Sequence, residues 1–265
     1  FYLNRKVGLR SNITYAKVSA DDKLTKEPFR NNRNLNFQSH LWEASVLLEF
    51  QVKKERRGNI YSLRSSTGRR LGLKSSGIGI YGVVGVGVVR FNPKSRDANG
   101  EMTALKPLHT EGQGITYVHP FWGTVEGPKQ YSGFSIAIPI GAGLKIPINR
   151  DIGIKVELTH RFTFTDYIDD VSGVYFENRV IEEYYGTTAA YFADPAIIGH
   201  NTHGPENGDV NGSESFLAQT FAGQVRGDVS DKDGYMILMV SVYKKISTVR
   251  RNRRRKTIRR VKASF

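Results

Sequence analysis

Ile152-Gly153-Ile154-Lys155-Val156-Glu157-Leu158-Thr159-His160-Arg161-Phe162-Thr163-Phe164 decides the fold. Its even positions are apolar apart from His160, and its odd positions are polar, charged or glycine. A period of two is the mark of a β-strand, whose successive side chains leave on opposite sides. Here one face is greasy while the other carries Lys155, Glu157 and Arg161.

The same alternation recurs along the chain. Residues 132–145 set Phe134, Ile136, Ile138, Ile140, Ala142 and Leu144 against Gly133, Ser135, Ala137, Pro139, Gly141 and Gly143. Residues 38–50 set Trp42, Ala44, Val46, Leu48 and Phe50 against Glu43, Ser45 and Glu49. Residues 234–245 oppose Met236, Leu238, Val240 and Val242 to Tyr235, Ser241 and Tyr243. Residues 7–15 set Val7, Leu9, Ile13 and Tyr15 against Arg10, Asn12 and Thr14, and 78–91 is apolar on both faces with Gly79, Gly85 and Gly87 on one. Helical periodicity is nearly absent. The expected set is six strands of roughly nine to fourteen residues.

These strands are long. Ordinary soluble strands average about five or six residues, whereas a tilted strand crossing a bilayer needs about nine to eleven. Two architectures fit: a soluble up-and-down barrel with an apolar inside, or a membrane barrel with an apolar outside. In the soluble case the charged faces would meet water. Aromatic residues near the strand ends favour the membrane case, because such rings form interface girdles. They are Tyr15, Phe37, Trp42, Phe50, Tyr81, Phe91, Phe134, Phe162, Phe164, Tyr235 and Tyr243.

The connections support the same reading. Turns at 4–6 and 147–151 are short, while 93–131 and 166–233 are long and polar, as in outer-membrane barrels with short periplasmic turns and long extracellular loops. Barrels of this class have even strand numbers. Phe1-Tyr2-Leu3 reads as the end of a further strand, so the expected fold is all-β: an eight-stranded antiparallel transmembrane barrel whose first strands precede this chain. Residues 1–245 would form that barrel, with a basic periplasmic excursion at 53–74, and 246–265 a periplasmic tail.

Composition excludes several classes. With no cysteine, disulfide scaffolds and thiol nucleophiles are absent. No run of eighteen apolar residues occurs, which excludes a helical span. The 39 Lys+Arg against 25 Asp+Glu give +14, a balance that first points to nucleic acid. The location of the charge argues otherwise. Segment 53–74 holds eight basic residues and one acidic, and 246–265 holds nine basic and none acidic. Together they contribute +16, more than the whole excess, whereas 166–233 carries −10. Both basic blocks fall on the short-turn side and the acidic loop on the other.

Asn34-Leu35-Asn36-Phe37, Arg90-Phe91-Asn92-Pro93, Leu105-Lys106-Pro107-Leu108-His109-Thr110-Glu111-Gly112-Gln113-Gly114 and Phe164-Thr165-Asp166-Tyr167-Ile168-Asp169-Asp170-Val171-Ser172 together resemble the outer-membrane barrel family that includes PorG of the type IX secretion system of Bacteroidetes. The resemblance runs from near Phe1 to Tyr243, as a set of motifs each weak alone. The insert around 174–229, the excursion at 54–74 and the arginine tail stand out as elaborations. The resemblance implies a non-enzymatic outer-membrane component of protein secretion and gliding motility. Its implied partners are a periplasmic ring lipoprotein and that lipoprotein's partner protein, together with outer-membrane lipid. No nucleic acid, small-molecule substrate, cofactor or metal is implied.

Three sets of residues carry candidate roles. Arg10, Lys155 and Arg161 facing Glu43, Glu49 and Glu157 would pair inside the barrel, because a lone buried charge is very costly; a proton or solute path is the alternative. In the tail, Arg250, Arg251, Arg253, Arg254, Arg255, Lys256, Arg259, Arg260 and Lys262 would stay extended by mutual repulsion until an acidic partner or phosphate surface neutralises them. Lys54, Arg56, Arg57, Arg64, Arg69 and Arg70 of the excursion would add a second contact. Asp166, Asp169 and Asp170 could bind calcium, but their spacing fits no EF-hand, and loop capping is the expected role. The histidines show no metal spacing. A hydrolase pair of His160 with Ser135 or Thr159 is disfavoured because His160 falls on the lipid-facing register. Binding of ligands or a host through the outer loops, and a soluble polyanion-binding β protein, stand as alternative functions.

Overall fold

In a computed structural model, residues 4, 6–55, 77–97, 99–148, 151–196 and 220–244 are described. The alternating segments form β1 (Val7–Asp21), β2 (Asn36–Lys53), β3 (Gly79–Arg90), β8 (Phe134–Pro147), β9 (Ile152–Thr163) and β10 (Gly234–Lys244). Between them lie α1 (Pro28–Arg33), the short strands β4 (Pro93–Arg96), β5 (Met102–Ala104), β6 (Thr116–His119) and β7 (Gly123–Glu126), and helices α2 (Asn178–Tyr185) and α3 (Thr187–Ala193).

The six long strands pair antiparallel in the order β1-β2-β3-β8-β9-β10, and β4 and β5 extend the sheet beside the first half of β2. This is an all-β antiparallel sheet of eight strands. It differs from the expected closed barrel in two respects. Two of its eight strands are short loop extensions, and among the described residues β1 and β10 remain edges that do not pair with each other.

The sheet nevertheless curls. Arg10 on β1 reaches Glu157 on β9 at 2.7 Å, although three strands separate them in the sheet order. A right-handed twist accumulating over long strands rolls the sheet in this way, and inward glycines admit the curvature. Gly143 on β8 is one: a Cβ there would enter the ring of Tyr81, so the missing side chain makes the space the tyrosine fills.

The two sides of the sheet are inverted relative to a soluble protein. Leu238, Val240 and Val242 are 67, 68 and 73% exposed on the outer side, with Ile13, Val86, Val88, Ile136 and Leu158 also open. On the inner side Glu43, Glu157 and Arg161 are only 2, 3 and 1% exposed. Large contiguous apolar surfaces are unusual on soluble monomers.

Most of the aromatic expectation follows this division. Tyr15, Trp42, Phe50, Phe134, Phe162 and Phe164 are exposed near the ends of the outer face. Tyr81, Phe91 and Tyr235 are not part of a girdle: they point inward and are buried, and Phe37 and Tyr243 fall on the same inward set, Tyr243 over Gly153. Their odd positions share the parity of Glu43, Glu157 and Arg161, which is the physical reason.

The strand registers define two ends. Val7, Phe50, Lys53, Ile80, Lys145, Pro147, Gly153 and Lys244 lie at one, bridged by the tight β8–β9 turn. Residues 53–55 of the basic excursion, residue 77 just after it, and Lys244, which precedes the tail, fall at this end. The described parts of loops 22–35, 91–133 and 164–233 rise from the other. There the near-absence of helix expected from the sequence is corrected. Buried Val180 and Ile181 of α2 and Ala189 and Ala193 of α3 pack with Ile115 into a small separate core.

Candidate functional site

All six inner-face residues expected to pair are brought together, in two groups along the sheet. In the first, Arg10 Nη1 and Nη2 donate to Glu157 Oε2 and Oε1 at 2.8 and 2.7 Å, a bidentate fork, and Tyr81 donates its hydroxyl to Glu157 at 2.7 Å. Glu49 is the hub. It meets Lys155 at 3.3 Å and Arg10 at 3.7 Å, and also Lys145. Lys145 and Lys155 lie 4.8 and 5.1 Å from the Tyr81 ring centre, so the aromatic face shares their charge.

In the second group Arg161 Nε donates to Glu43 Oε2 at 3.0 Å, and the Tyr235 hydroxyl donates to the same oxygen at 2.7 Å. Arg161 also donates to Thr159 O at 3.3 Å, and its guanidinium lies 5.8 Å from the Tyr235 ring centre. Three carboxylates thus face four cations on the inner side. Removing one partner of a buried pair costs about 3–5 kcal/mol, since the survivor keeps its desolvation penalty.

The sequence reading missed Lys145, Tyr81 and Tyr235. Their own strands carry no charged face to mark them; the registers do, pairing Tyr235 with Arg161, Lys145 with Lys155, and Tyr81 with Gly143.

A second buried network lies at the root of the outer loops; the sequence pointed to Asp166, Asp169 and Asp170 as loop caps, but not to Glu111, Arg226 or Asp233. Glu111 Oε1 accepts hydrogen bonds from the backbone N–H of Ser172 at 2.8 Å and Gly173 at 3.2 Å, and from Arg226 at 3.0 Å. Tyr167 donates its hydroxyl to Glu111 Oε2 at 3.3 Å. Asp170, at φ 67°, accepts from Thr110 and Tyr131, both at 2.5 Å, while Arg226 donates to the Asp170 carbonyl at 2.8 Å. Motifs some sixty residues apart, around Thr110-Glu111 and Asp166 to Ser172, therefore clasp through one buried arginine.

This network is acid-rich. Burial pushes the Asp169 and Asp170 carboxyls up to about 6. Burial, with neighbouring Asp169, pushes Asp233 up to about 7. Asp166 is raised too, again by burial first, and burial with the nearby Asp170 holds the Tyr131 hydroxyl protonated as a donor. The carboxylates cap local backbone: Asp233 accepts from the Ile168 N–H at 2.7 Å and Asp169 from the Val171 N–H at 3.0 Å. Among the described residues no group of three or more His, Asp or Glu is placed to hold a metal ion.

Ser135 and His160 do not form a pair. Ser135 shares the inward set with Val89, and His160 lies on the outward set opposite Ile140. Lys54 lines a small cavity of about 210 Å³ at the short-turn end with Lys53, Glu55, Tyr81 and Lys145. Arg56, Arg57, Arg64, Arg69 and Arg70, and the tail residues Arg250, Arg251, Arg253, Arg254, Arg255, Lys256, Arg259, Arg260 and Lys262, lie outside the described residues.

No family model, curated protein or solved structure matches this chain. No helix among the described residues is long and apolar enough to cross a membrane, a statement that leaves strands untouched.

Proposed function

We propose that the chain is a non-enzymatic integral β-barrel protein of a bacterial outer membrane, set with its short turns and basic segments in the periplasm. One observation carries the reading: a curled antiparallel sheet with an apolar outer face and a buried, ion-paired inner face. Water on both sides would leave the outer face unexplained; lipid outside satisfies both faces. Strand directions fit closure. β1 runs from the short-turn end and β10 returns to it, so the two edges are antiparallel, as closure of an even-stranded barrel requires.

Within that membrane, 53–74 and 246–265 dock an acidic surface on a periplasmic ring assembly of the secretion and gliding type that the sequence motifs resemble. The supporting fact is the asymmetry of charge, with +16 in two blocks whose flanks share one end and −10 in the loop at the other. Folding into detergent micelles should give a form that migrates faster on a gel without heating. Deleting 246–265 should leave that form intact and abolish co-purification of the ring proteins. Co-purification unchanged by the deletion overturns the docking role.

A second reading draws on a cavity of about 440 Å³ between the outer loops, lined by Tyr117, Trp122, Tyr167, Tyr175 and Phe176. Its volume is in the range of small-ligand sites, which span about 300–1,000 Å³. Binding through this end predicts loss of surface binding with Trp122→Ala and no change in ring association.

A further inference from the structure

The outer face is apolar along most of its height, but its loop end is not. On β3 and the segment continuing it, the outward dyad positions are Val88, Arg90, Asn92, Lys94 and Arg96. The registers give the neighbours. Arg90 stands between Trp42 on β2 and Phe134 on β8, with its guanidinium 5.9 Å from the Phe134 ring centre. Trp42 in turn lies against Tyr15 of β1, ring centres 5.0 Å apart. One dyad step beyond Tyr15 is Lys17, paired with His40, and one step beyond His40 is Gln38, paired with Lys94.

Each dyad step advances about 6.6 Å along a strand. A row of aromatics at Tyr15, Trp42 and Phe134 is therefore followed, toward the loops, by Arg90 at its own level and then by Lys17, Lys94 and Arg96. None of these four cations forms an ion pair among the described residues. Of the nearby carboxylates, Asp21 accepts from the Lys23 N–H, Asp22 pairs with Arg33, and Asp97 accepts from the Asn99 and Glu101 N–H groups, while the Glu101 carboxylate forms no ion pair among the described residues. His40 is also committed, with Tyr15 at 2.5 Å and Gln38 at 3.0 Å on its two ring nitrogens.

Four cations without ion pairs, one level with an aromatic row and three above it, form a stripe fitted to the level where lipid phosphates meet the acyl region. We infer that Lys17, Arg90, Lys94 and Arg96 bind the phosphate groups of outer-leaflet lipid. The occupant is a membrane lipid whose phosphorylated head group carries net negative charge. Its acyl chains lie on Val86, Val88 and Ile136 below, and Arg90, flanked by two rings, offers a fork for bidentate contact. This deepens the membrane reading and rests on it.

The test uses the full chain refolded in phosphatidylcholine vesicles with and without a minor fraction of lipid A, followed by native mass spectrometry. The wild-type chain should insert into both and retain lipid A selectively, undisplaced by inorganic phosphate. At about fivefold per cation near an anionic surface, Lys17→Gln, Arg90→Gln and Lys94→Gln together should weaken retention roughly a hundredfold while insertion stays normal. The charge-keeping set Lys17→Arg, Arg90→Lys and Lys94→Arg should retain it. Insertion with equal lipid A retention by wild type and the glutamine variant overturns the phosphate site alone, as does displacement by inorganic phosphate. Failure of the wild-type chain to enter either vesicle overturns the membrane reading, and the site with it.

Discussion

The molecule holds two buried charge networks, and they are built on opposite principles. On the inner face of the sheet, Glu43, Glu49 and Glu157 meet Arg10, Lys145, Lys155 and Arg161, so charge is matched and distributed over strands. At the loop root, Arg226 meets Glu111 and the Asp170 backbone, Asp166, Asp169 and Asp233 lie in the same loop segments, and most of these carboxylates are satisfied by backbone N–H groups and hydroxyls. The first network fills a rigid curled sheet. The second clamps loops, and its excess of acid makes it responsive to pH.

The largest effect expected is from Arg161→Leu. It leaves Glu43 buried with only the Tyr235 hydroxyl, at a cost of about 3–5 kcal/mol, read as a lower urea midpoint for the whole sheet. Adding Glu43→Gln should recover most of that loss. A sheet unaffected by Arg161→Leu would break the claim that the inner face depends on matched charge.

Arg226→Leu should act more locally and cost less, about 2–3 kcal/mol, because Glu111 keeps three other donors. Hydrogen exchange should rise in 166–173 and 226–233 while the strands hold. Equal loosening of β9 and β10 would merge the two networks into one.

A pH series sharpens the contrast. Asp169, Asp170 and Asp233 have folded values of about 6, 6 and 7, above the ordinary carboxylate value near 3.9. A raised acid holds its proton in the folded state, so its contribution is full below pH about 4 and is lost as pH rises through the folded value. Exchange protection at the loop root should therefore fall between about pH 4 and 7. An increase in protection over the same range would contradict the assignment.

Lys155→Met is the mildest case, at about 1 kcal/mol by urea midpoint, because Glu49 keeps Lys145 and Arg10.

The sheet was legible because its physics is local. Alternation at 152–164 gave β9 to within one residue (Ile152–Thr163), and the run at 234–245 gave β10 equally well. Lengths were harder: β1 continues six residues past Tyr15, through Lys17 and Ser19. Its outward side turns polar there, where the aromatic row ends, so the apolar signal fades before the strand does. Lys145 could have been found by parity, but it follows a run of inward glycines that reads as empty. The Glu111–Arg226 pair could not, since its partners are 115 residues apart and only the folded loops bring them together. The helices α2 and α3 have eight and seven residues, two turns each, too few for a period to stand out from the surrounding loop, and they are held by Ile115 from another loop.

The central claim is that the outer face meets lipid and the inner face meets neither lipid nor bulk water. The chain has no cysteine, so single spin labels can be placed cleanly along β10 of the vesicle-reconstituted protein. Labels at 236, 238, 240 and 242 should be relaxed strongly by oxygen and weakly by a soluble nickel complex. Labels at 237, 239 and 241 should be protected from both, giving a period of two. Nickel accessibility exceeding oxygen accessibility at 238 and 240 would place the apolar face in water and contradict the account.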